Sequence, residues 1–158
     1  MKLRILAAAL VMLAAPASAQ DARYLPFTGA WVGVGEGREG PNAPWERATC
    51  NVTIEWQRGL RSHAVCEGAR GRFTAGGVLD ADGTGDFLVP HFVDTAEEPV
   101  VALAGDAIVS TYVFEDLGVV YQFRLTVRPA GPARLTMTTE LLLDGVYVEV
   151  GRLALAPE

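Results

Sequence analysis

The sequence predicts an all-β protein, an up-and-down antiparallel β-barrel of about 8–10 strands, on three observations. Apolar and polar residues alternate along most of the chain, which is the two-residue period of a strand with one buried face. Gly, Pro, Asp and Asn interrupt the alternation at short intervals, as turns do. Helical periodicity is nearly absent after the first 19 residues, so no helix is expected to cover the apolar face. Such a sheet buries that face by closing on itself, and a two-sheet sandwich is the alternative.

Residues 1–19 have the features of a secretory signal peptide. Two cations precede an apolar run over 5–15, and Ala17-Ser18-Ala19 resembles a cleavage site. The apolar run is too short for a membrane span. We therefore expect a single domain over 20–158, a periplasmic or secreted location, and no membrane span.

The charge balance excludes some classes of partner. The formal net charge is −6, and it becomes −8 when Lys2 and Arg4 are removed with the leader. A surface this acidic argues against nucleic acid and anionic lipid headgroups as partners.

Ten candidate strands follow from the alternation and from the turn residues between them. They are expected at 28–36, 46–56, 60–67, 70–79, 84–89, 99–104, 107–115, 118–128, 133–143 and 146–155. The turn signals that separate them include Gln57-Arg58-Gly59, Ala81-Asp82-Gly83, Gly105-Asp106, the Pro129–Pro132 corner and Asp144-Gly145. The one long connection, 90–98, is acidic and separates the fifth strand from the sixth.

The second and third strands form a hairpin whose register follows from a three-residue loop that ends at Gly59. In this register Cys50 faces Cys66 on an apolar face, and the opposite face is polar. Facing residues of neighbouring strands are close enough for a disulfide. An even pair of cysteines in an exported chain favours one. We therefore predict a Cys50–Cys66 disulfide. The other pairs on that face are Val52–Ala64, Ile54–Ser62 and Trp56–Leu60.

The last two strands form a second hairpin at Asp144-Gly145. Its uninterrupted register pairs Leu143 with Val146 and ends with Met137 opposite Arg152, which predicts that Arg152 points into the barrel. The same register places Glu140 opposite Glu149, and like charges that face each other weaken a sheet.

The stretch GAWVGVGEGREG, residues 29–40, contains the G-x-G-x-x-G spacing of a dinucleotide-binding loop. That loop needs a following helix, whose N-terminus holds the phosphate. Here PNAPWERATC follows, with two prolines and then an alternating strand, so the dinucleotide interpretation fails. We interpret the glycines as residues that shape the backbone: Gly33, Gly35 and Gly37 leave room beside Trp31 and let the first strand curve toward the last.

GAW, residues 29–31, resembles the Gly-x-Trp start of the calycin superfamily, which contains the lipocalins and fatty-acid-binding proteins. The longer GAWVGVGEG is similar to the opening of nitrobindin-like and related lipocalin-like domains. The resemblance implies a barrel in which an arginine near the end packs across the tryptophan, and Arg152 is the matching position. Arg152 then either stacks on Trp31 and closes the barrel, or anchors a ligand carboxylate. The first role is favoured, because a fold by itself does not establish a site.

Other candidate sites are incomplete. Nitrobindin-like proteins bind haem through a histidine near the C-terminus, but no histidine follows His91 here, so haem is disfavoured. His63 is expected to face solvent. The run Asp80–Asp86 resembles the start of a calcium loop, but His91 occupies the place of the bidentate Glu and no helices flank it. We find no Ser–His–Asp grouping and no paired inward carboxylates, so the expectation is no enzyme, no metal and no cofactor.

The function that the sequence favours is binding of a small apolar or amphipathic molecule inside an exported barrel. The alternatives are a structural or protein-interaction barrel of the cell envelope without a ligand and, on the same scaffold, a haem protein or an enzyme. The residues expected to line the ligand site are Trp31, Val52, Ile54, Trp56, Tyr121, Phe123, Met137 and Leu141, with Arg152 at its base.

Overall fold

The computed structural model describes residues 22–91 and 95–158, so the predicted leader over 1–19 lies outside the described residues. Within these ranges there is no α-helix, and no helix long and apolar enough to cross a membrane. A short 3₁₀ turn, Leu25–Phe27, precedes ten strands. The strands are β1 Gly29–Gly37, β2 Glu46–Trp56, β3 Gly59–Gly68, β4 Gly71–Asp80, β5 Val89–Pro90, β6 Val100–Ala104, β7 Ala107–Asp116, β8 Val119–Pro129, β9 Leu135–Leu143 and β10 Val146–Pro157.

All ten strands belong to one antiparallel sheet in the order β5-β4-β3-β2-β1-β10-β9-β8-β7-β6. The first long strand pairs with the last, with Trp31 beside Pro157 and Gly37 beside Gly151. The sheet curls into a half-barrel, with β5 and β6 at its two ends. The predicted all-β, barrel-like meander is therefore confirmed.

One predicted strand is mostly wrong. Nine of the ten lie within two residues of their predicted bounds, but 84–89 contributes only Val89 to a two-residue strand. A compact turn replaces the rest, because the Asp86 carboxylate accepts a hydrogen bond from the Val78 amide at 3.0 Å and Leu88 has a φ of 56°. Gly77 makes the close approach feasible, since a Cβ there would lie 1.8 Å from the Asp86 carbonyl oxygen.

The β2–β3 hairpin has the predicted register from Trp56–Leu60 to Cys50–Cys66. The two cysteines form a disulfide with Cα atoms 4.1 Å apart. Facing positions alone bring these sulfurs together, so the pairing is a direct consequence of the turn at residues 57–59.

The β9–β10 hairpin follows the predicted register only near its turn. Leu143 pairs with Val146 and Leu141 with Val148, but a β-bulge between Glu149 and Gly151 then shifts the register by one residue. Leu153 therefore faces Met137, and Arg152 faces Thr138. The prediction that Arg152 points inward is wrong, because a one-residue shift moves a side chain to the other face of the sheet.

The facing Glu140–Glu149 pair is present, and an arginine compensates each carboxylate. Nε of Arg124 lies 2.7 Å from a Glu140 oxygen, and Nη1 of Arg152 lies 3.6 Å from a Glu149 oxygen. The outward position of Arg152 thus reduces a repulsion that the inward position would leave unbalanced.

Gly33 and Gly35 let β1 approach β10 closely. A Cβ at Gly33 would lie 2.1 Å from the Ala154 carbonyl oxygen, and one at Gly35 would lie 2.2 Å from that of Arg152. The glycines do shape the backbone, as predicted, but the group they admit is the β10 main chain rather than the Trp31 ring. A loop over 38–45 and then β2 follow them, so the helix of a dinucleotide site is not there.

The packed core fills one end of the half-barrel, which we call the closed end. The 3₁₀ turn covers it: Tyr24 stacks on Trp56 with ring centroids 5.4 Å apart, and Phe27 is 1% exposed. The Trp31 indole donates a hydrogen bond to the Phe27 carbonyl at 3.0 Å, which ties β1 to the turn. Other fully buried side chains of this core include Ile54, Leu60, Leu79, Phe87, Ile108 and Leu135.

Candidate ligand cavity

An apolar cavity of about 450 Å³ lies inside the half-barrel, between the closed end and the opposite, open end. Its size arises from small residues in the middle of the sheet: Ala64 of β3 faces Ala75 of β4, and both border the cavity. Large side chains fill the closed end, whereas the methyl side chains of these two alanines are too small to fill the middle of the half-barrel. Ligand sites in proteins commonly enclose roughly 300–1,000 Å³. Other apolar residues that line the cavity are Val52, Leu88, Phe123, Leu125, Met137 and Leu153.

The disulfide forms part of the cavity wall. Cys50 and Cys66 both line the cavity and are 6% and 5% exposed. The cross-link therefore joins β2 to β3 at the level of the cavity.

The side chain of Tyr112 forms part of the cavity wall. It lies on β7, is 6% exposed, and stacks on Phe123 with ring centroids 5.6 Å apart. Burial raises the pKa of Tyr112 to about 12, because the ionised phenolate would be poorly solvated there. No hydrogen bond to its hydroxyl comes from residues 22–91 or 95–158. The phenol therefore stays neutral beside the cavity over the physiological pH range.

The aromatic surface continues from the cavity toward the open end. Phe114 stacks on Phe123 at 5.5 Å and on Tyr121 at 5.2 Å, all between ring centroids. Cross-strand pairing of β7 with β8 places these rings side by side on the inner face. They form a continuous apolar path that leads out of the cavity.

Charged side chains surround the open end, and most of them pair with one another. Arg70 makes a bidentate contact with Glu46, at 2.8 and 2.9 Å, and an ion pair with Glu39. Arg152 binds Glu36, with its Nε 2.7 Å from a carboxylate oxygen. The opening is thus polar although the cavity walls are apolar.

The loop over residues 38–45, which we call the Trp45 loop, is fastened to the β10 bulge at this opening. The Arg38 amide donates to the Val150 carbonyl at 2.8 Å. Its guanidinium donates twice to the Glu149 carbonyl, at 3.2 and 2.7 Å. A bulge disrupts the local ladder, so these carbonyls are available to the loop.

The structure separates the predicted ligand residues into three groups. Val52, Phe123 and Met137 line the cavity, and Arg152 borders it at the open end. Trp31, Ile54 and Trp56 belong to the closed-end core or pack against it. Tyr121 and Leu141 lie outside the cavity lining.

Arg152 does not stack on Trp31 or reach the base of the cavity. Its side chain is 57% exposed, and it contacts Glu36, Glu149 and the Trp45 ring. Both roles expected from the calycin resemblance, the clamp on Trp31 and the buried anchor, are therefore corrected. The cause is the bulge, which turns residue 152 to the outer face.

Several cavity residues were not predicted from the sequence, among them Ala64, Ala75 and Tyr112. The hairpin register predicts that Ala64 faces Val52, but not that the alanine borders a cavity. Its small size is the signal, because small side chains on an inner face leave space.

The Asp80–Asp86 run is an ordinary turn. Asp82 accepts hydrogen bonds from the Thr84 amide at 3.0 Å and the Thr84 hydroxyl at 2.7 Å. The hydroxyl bond is the main cause of the lowered pKa of Asp82. Over the described ranges, no group of three or more His, Cys, Asp or Glu residues is placed to hold a metal ion.

No protein-family model matches the sequence, and no curated protein sequence matches it. Among solved structures, the chain is similar to the crystal structure of Rv2717c from M. tuberculosis, with a TM-score of 0.55 and 12% sequence identity. The match covers 87% of this chain and 98% of that one. At this identity the likeness shows the fold alone.

Proposed function

We propose that this protein is an exported, calycin-like binding protein that holds a small apolar or amphipathic molecule in the half-barrel cavity. The observation that carries the proposal is the cavity of about 450 Å³ with apolar walls. A barrel with only a structural role is expected to fill its interior with side chains, because protein interiors pack to crystal-like density. Binding needs no catalytic group.

The contrast between walls and opening supports an amphipathic ligand as well as a purely apolar one. An apolar tail would replace water against Val52, Leu125 and Met137. A polar head would lie among the charged groups of the open end, near Arg70 and Glu46. The Tyr112 hydroxyl offers one polar contact within the cavity.

Export is part of the same proposal. The leader features over 1–19 and the Cys50–Cys66 disulfide both fit an oxidising compartment. A cavity protein there would meet molecules taken up from outside the cell or released from the envelope.

The test uses the mature chain and the fluorescent apolar probe 1-anilinonaphthalene-8-sulfonate. Ala64→Phe should fill the cavity, and Ala156→Phe should leave it open because Ala156 is exposed on β10. We expect saturable probe binding by the parent protein, at least a tenfold loss of affinity in Ala64→Phe, and no change in Ala156→Phe. Absence of saturable binding in the parent, or equal binding by all three proteins, would reject the cavity as a ligand site.

Melting followed by circular dichroism accompanies the titration, to show that each variant is folded. If Ala64→Phe does not fold, Ala75→Phe fills the same space from the facing position on β4. Retention of full probe affinity by a folded Ala75→Phe protein would also overturn the proposal.

A further inference from the structure

The fold brings together the only two histidines of the chain, His63 and His91. Their ring centroids are 6.5 Å apart on the outer face of the sheet, away from the cavity. His63 lies on β3, and His91 directly follows β5. β4 lies between them, with Gly76 paired to His63 on one side and to Val89 on the other.

We propose that His63 and His91 form a surface site for one borderline divalent transition-metal ion: Cu²⁺, Ni²⁺ or Zn²⁺. Imidazole nitrogen is a preferred ligand for these ions. Two imidazoles that share an ion at about 2.0–2.1 Å place their ring centroids roughly 5–6 Å apart. Both side chains are exposed, so a small rotation about their side-chain bonds closes the present 6.5 Å.

Thr74 holds the His91 ring in the orientation that a ligand needs. The Thr74 hydroxyl lies 3.0 Å from Nδ1 of His91, and the His91 amide donates to the Thr74 carbonyl at 2.9 Å. When Nδ1–H donates to the hydroxyl, Nε2 carries the lone pair that a metal binds. Metal-binding histidines usually have such a partner on their second nitrogen.

Gly76 keeps that lone pair accessible. A Cβ at Gly76 would lie 3.0 Å from Nε2 of His91, so a side chain there would crowd the nitrogen. Gly76 pairs with His63 across the strands, so the space left above it lies between the two rings. With two protein ligands, water molecules complete the coordination shell, and the ion is exchangeable.

The site is independent of the proposed ligand cavity, because the two occupy opposite faces of the sheet. Failure of one proposal therefore leaves the other intact.

The test is calorimetric titration of the untagged mature chain with Cu²⁺, Ni²⁺ and Zn²⁺ salts, one ion at a time. We expect one ion per chain for at least one metal, and at least a tenfold loss of affinity in each of His63→Ala and His91→Ala. Thr74→Val should weaken binding by a smaller factor, since it removes the orienting hydroxyl. Arg61→Ala, on the same strand face as His63, is the matched control and should bind as the parent does.

For Cu²⁺, electron paramagnetic resonance should show nitrogen couplings from two imidazoles, and the double variant should lose them. Three results would overturn the proposal: no stoichiometric binding of any of the three ions, full affinity in the double variant, or loss in only one of the two single variants. Circular dichroism melting shows that the variants are folded, which is expected because both side chains are exposed.

Discussion

The guanidinium carbon of Arg152 lies 5.0 Å from the centroid of the Trp45 ring, and that of Arg38 lies 4.5 Å from the same centroid. An arginine–tryptophan contact therefore exists in this half-barrel, but at the open end and with a different tryptophan from the one expected. It joins the Trp45 loop to β10, beside the entrance to the cavity.

Arg38→Ala should loosen the Trp45 loop. The substitution removes two guanidinium hydrogen bonds to the Glu149 carbonyl, and bonds of a charged donor contribute about 1.5–3 kcal/mol each. We expect faster hydrogen–deuterium exchange in 38–45 and an unchanged core. Arg134→Ala is the control, because Arg134 is exposed on the β8–β9 connection and its side chain makes no hydrogen bond, ion pair or cation–π contact with the described residues. Equal exchange in the two variants would show that Arg38 does not hold the loop.

Gly35→Ala should destabilise the protein strongly. The added methyl group would lie 2.2 Å from the Arg152 carbonyl oxygen, so β1 and β10 must move apart. We expect a loss of about 2 kcal/mol or more in the free energy of unfolding, in the upper part of the range for overpacking. Gly40→Ala is the matched control, since nothing lies within 4 Å of its added methyl group. The measurement is urea unfolding, and similar midpoints for the two variants would contradict the close-approach argument.

The Cys50–Cys66 disulfide, which links residues 16 positions apart, should contribute about 2–4 kcal/mol to stability, because it restricts the conformational freedom of the unfolded chain. The double variant Cys50→Ala/Cys66→Ala should show the corresponding decrease in its urea midpoint. As a check on the pairing, alkylation of the unfolded but unreduced protein should modify neither cysteine. Modification of both would mean that the bond does not form.

Tyr112 should make stability depend on pH in the alkaline range. Its pKa is about 12 in the folded protein and about 10 when unfolded, so only the unfolded state loses this proton between those values. The contribution of about 3 kcal/mol is present below pH 10 and is lost as the pH rises toward 12.

Absorbance at 295 nm checks this assignment. A late ionisation near pH 12 should appear in the parent protein, and Tyr112→Phe should remove that step. If the variant instead lacks a phenol that ionises near pH 10, Tyr112 is not the buried group.

Local pattern predicted the strands and one complete hairpin. Alternation placed nine strands within two residues, and the turn at 57–59 fixed every pair from Trp56–Leu60 to Cys50–Cys66. Both succeed because strand period and turn length are properties of neighbouring residues. The failed strand at 84–89 lies between predicted turns as the other strands do, but its backbone instead follows contacts with Gly77 and Val78.

The sequence did contain a signal for the bulge. Gly151 interrupts the last strand, and an isolated glycine in a strand often marks a bulge. A register that runs from Asp144-Gly145 without this bulge puts Arg152 on the inner face, whereas the bulge turns it to the outer face. The Trp45 contact escaped prediction for the same reason, since it depends on where the bulge turns that side chain.

By itself, the sequence determined an antiparallel, one-face-buried meander whose first and last strands meet, and a disulfide between facing cysteines. Only the tertiary structure decided where the interior is full and where it is empty. Period-two alternation predicts which side chains face inward. It does not predict how completely the inward side chains of strands that are distant in the chain fill the interior. In the structure the closed end is packed, a cavity bounded by Ala64, Ala75 and Tyr112 lies between it and the open end, and strand pairing places the two histidines side by side on the outer face.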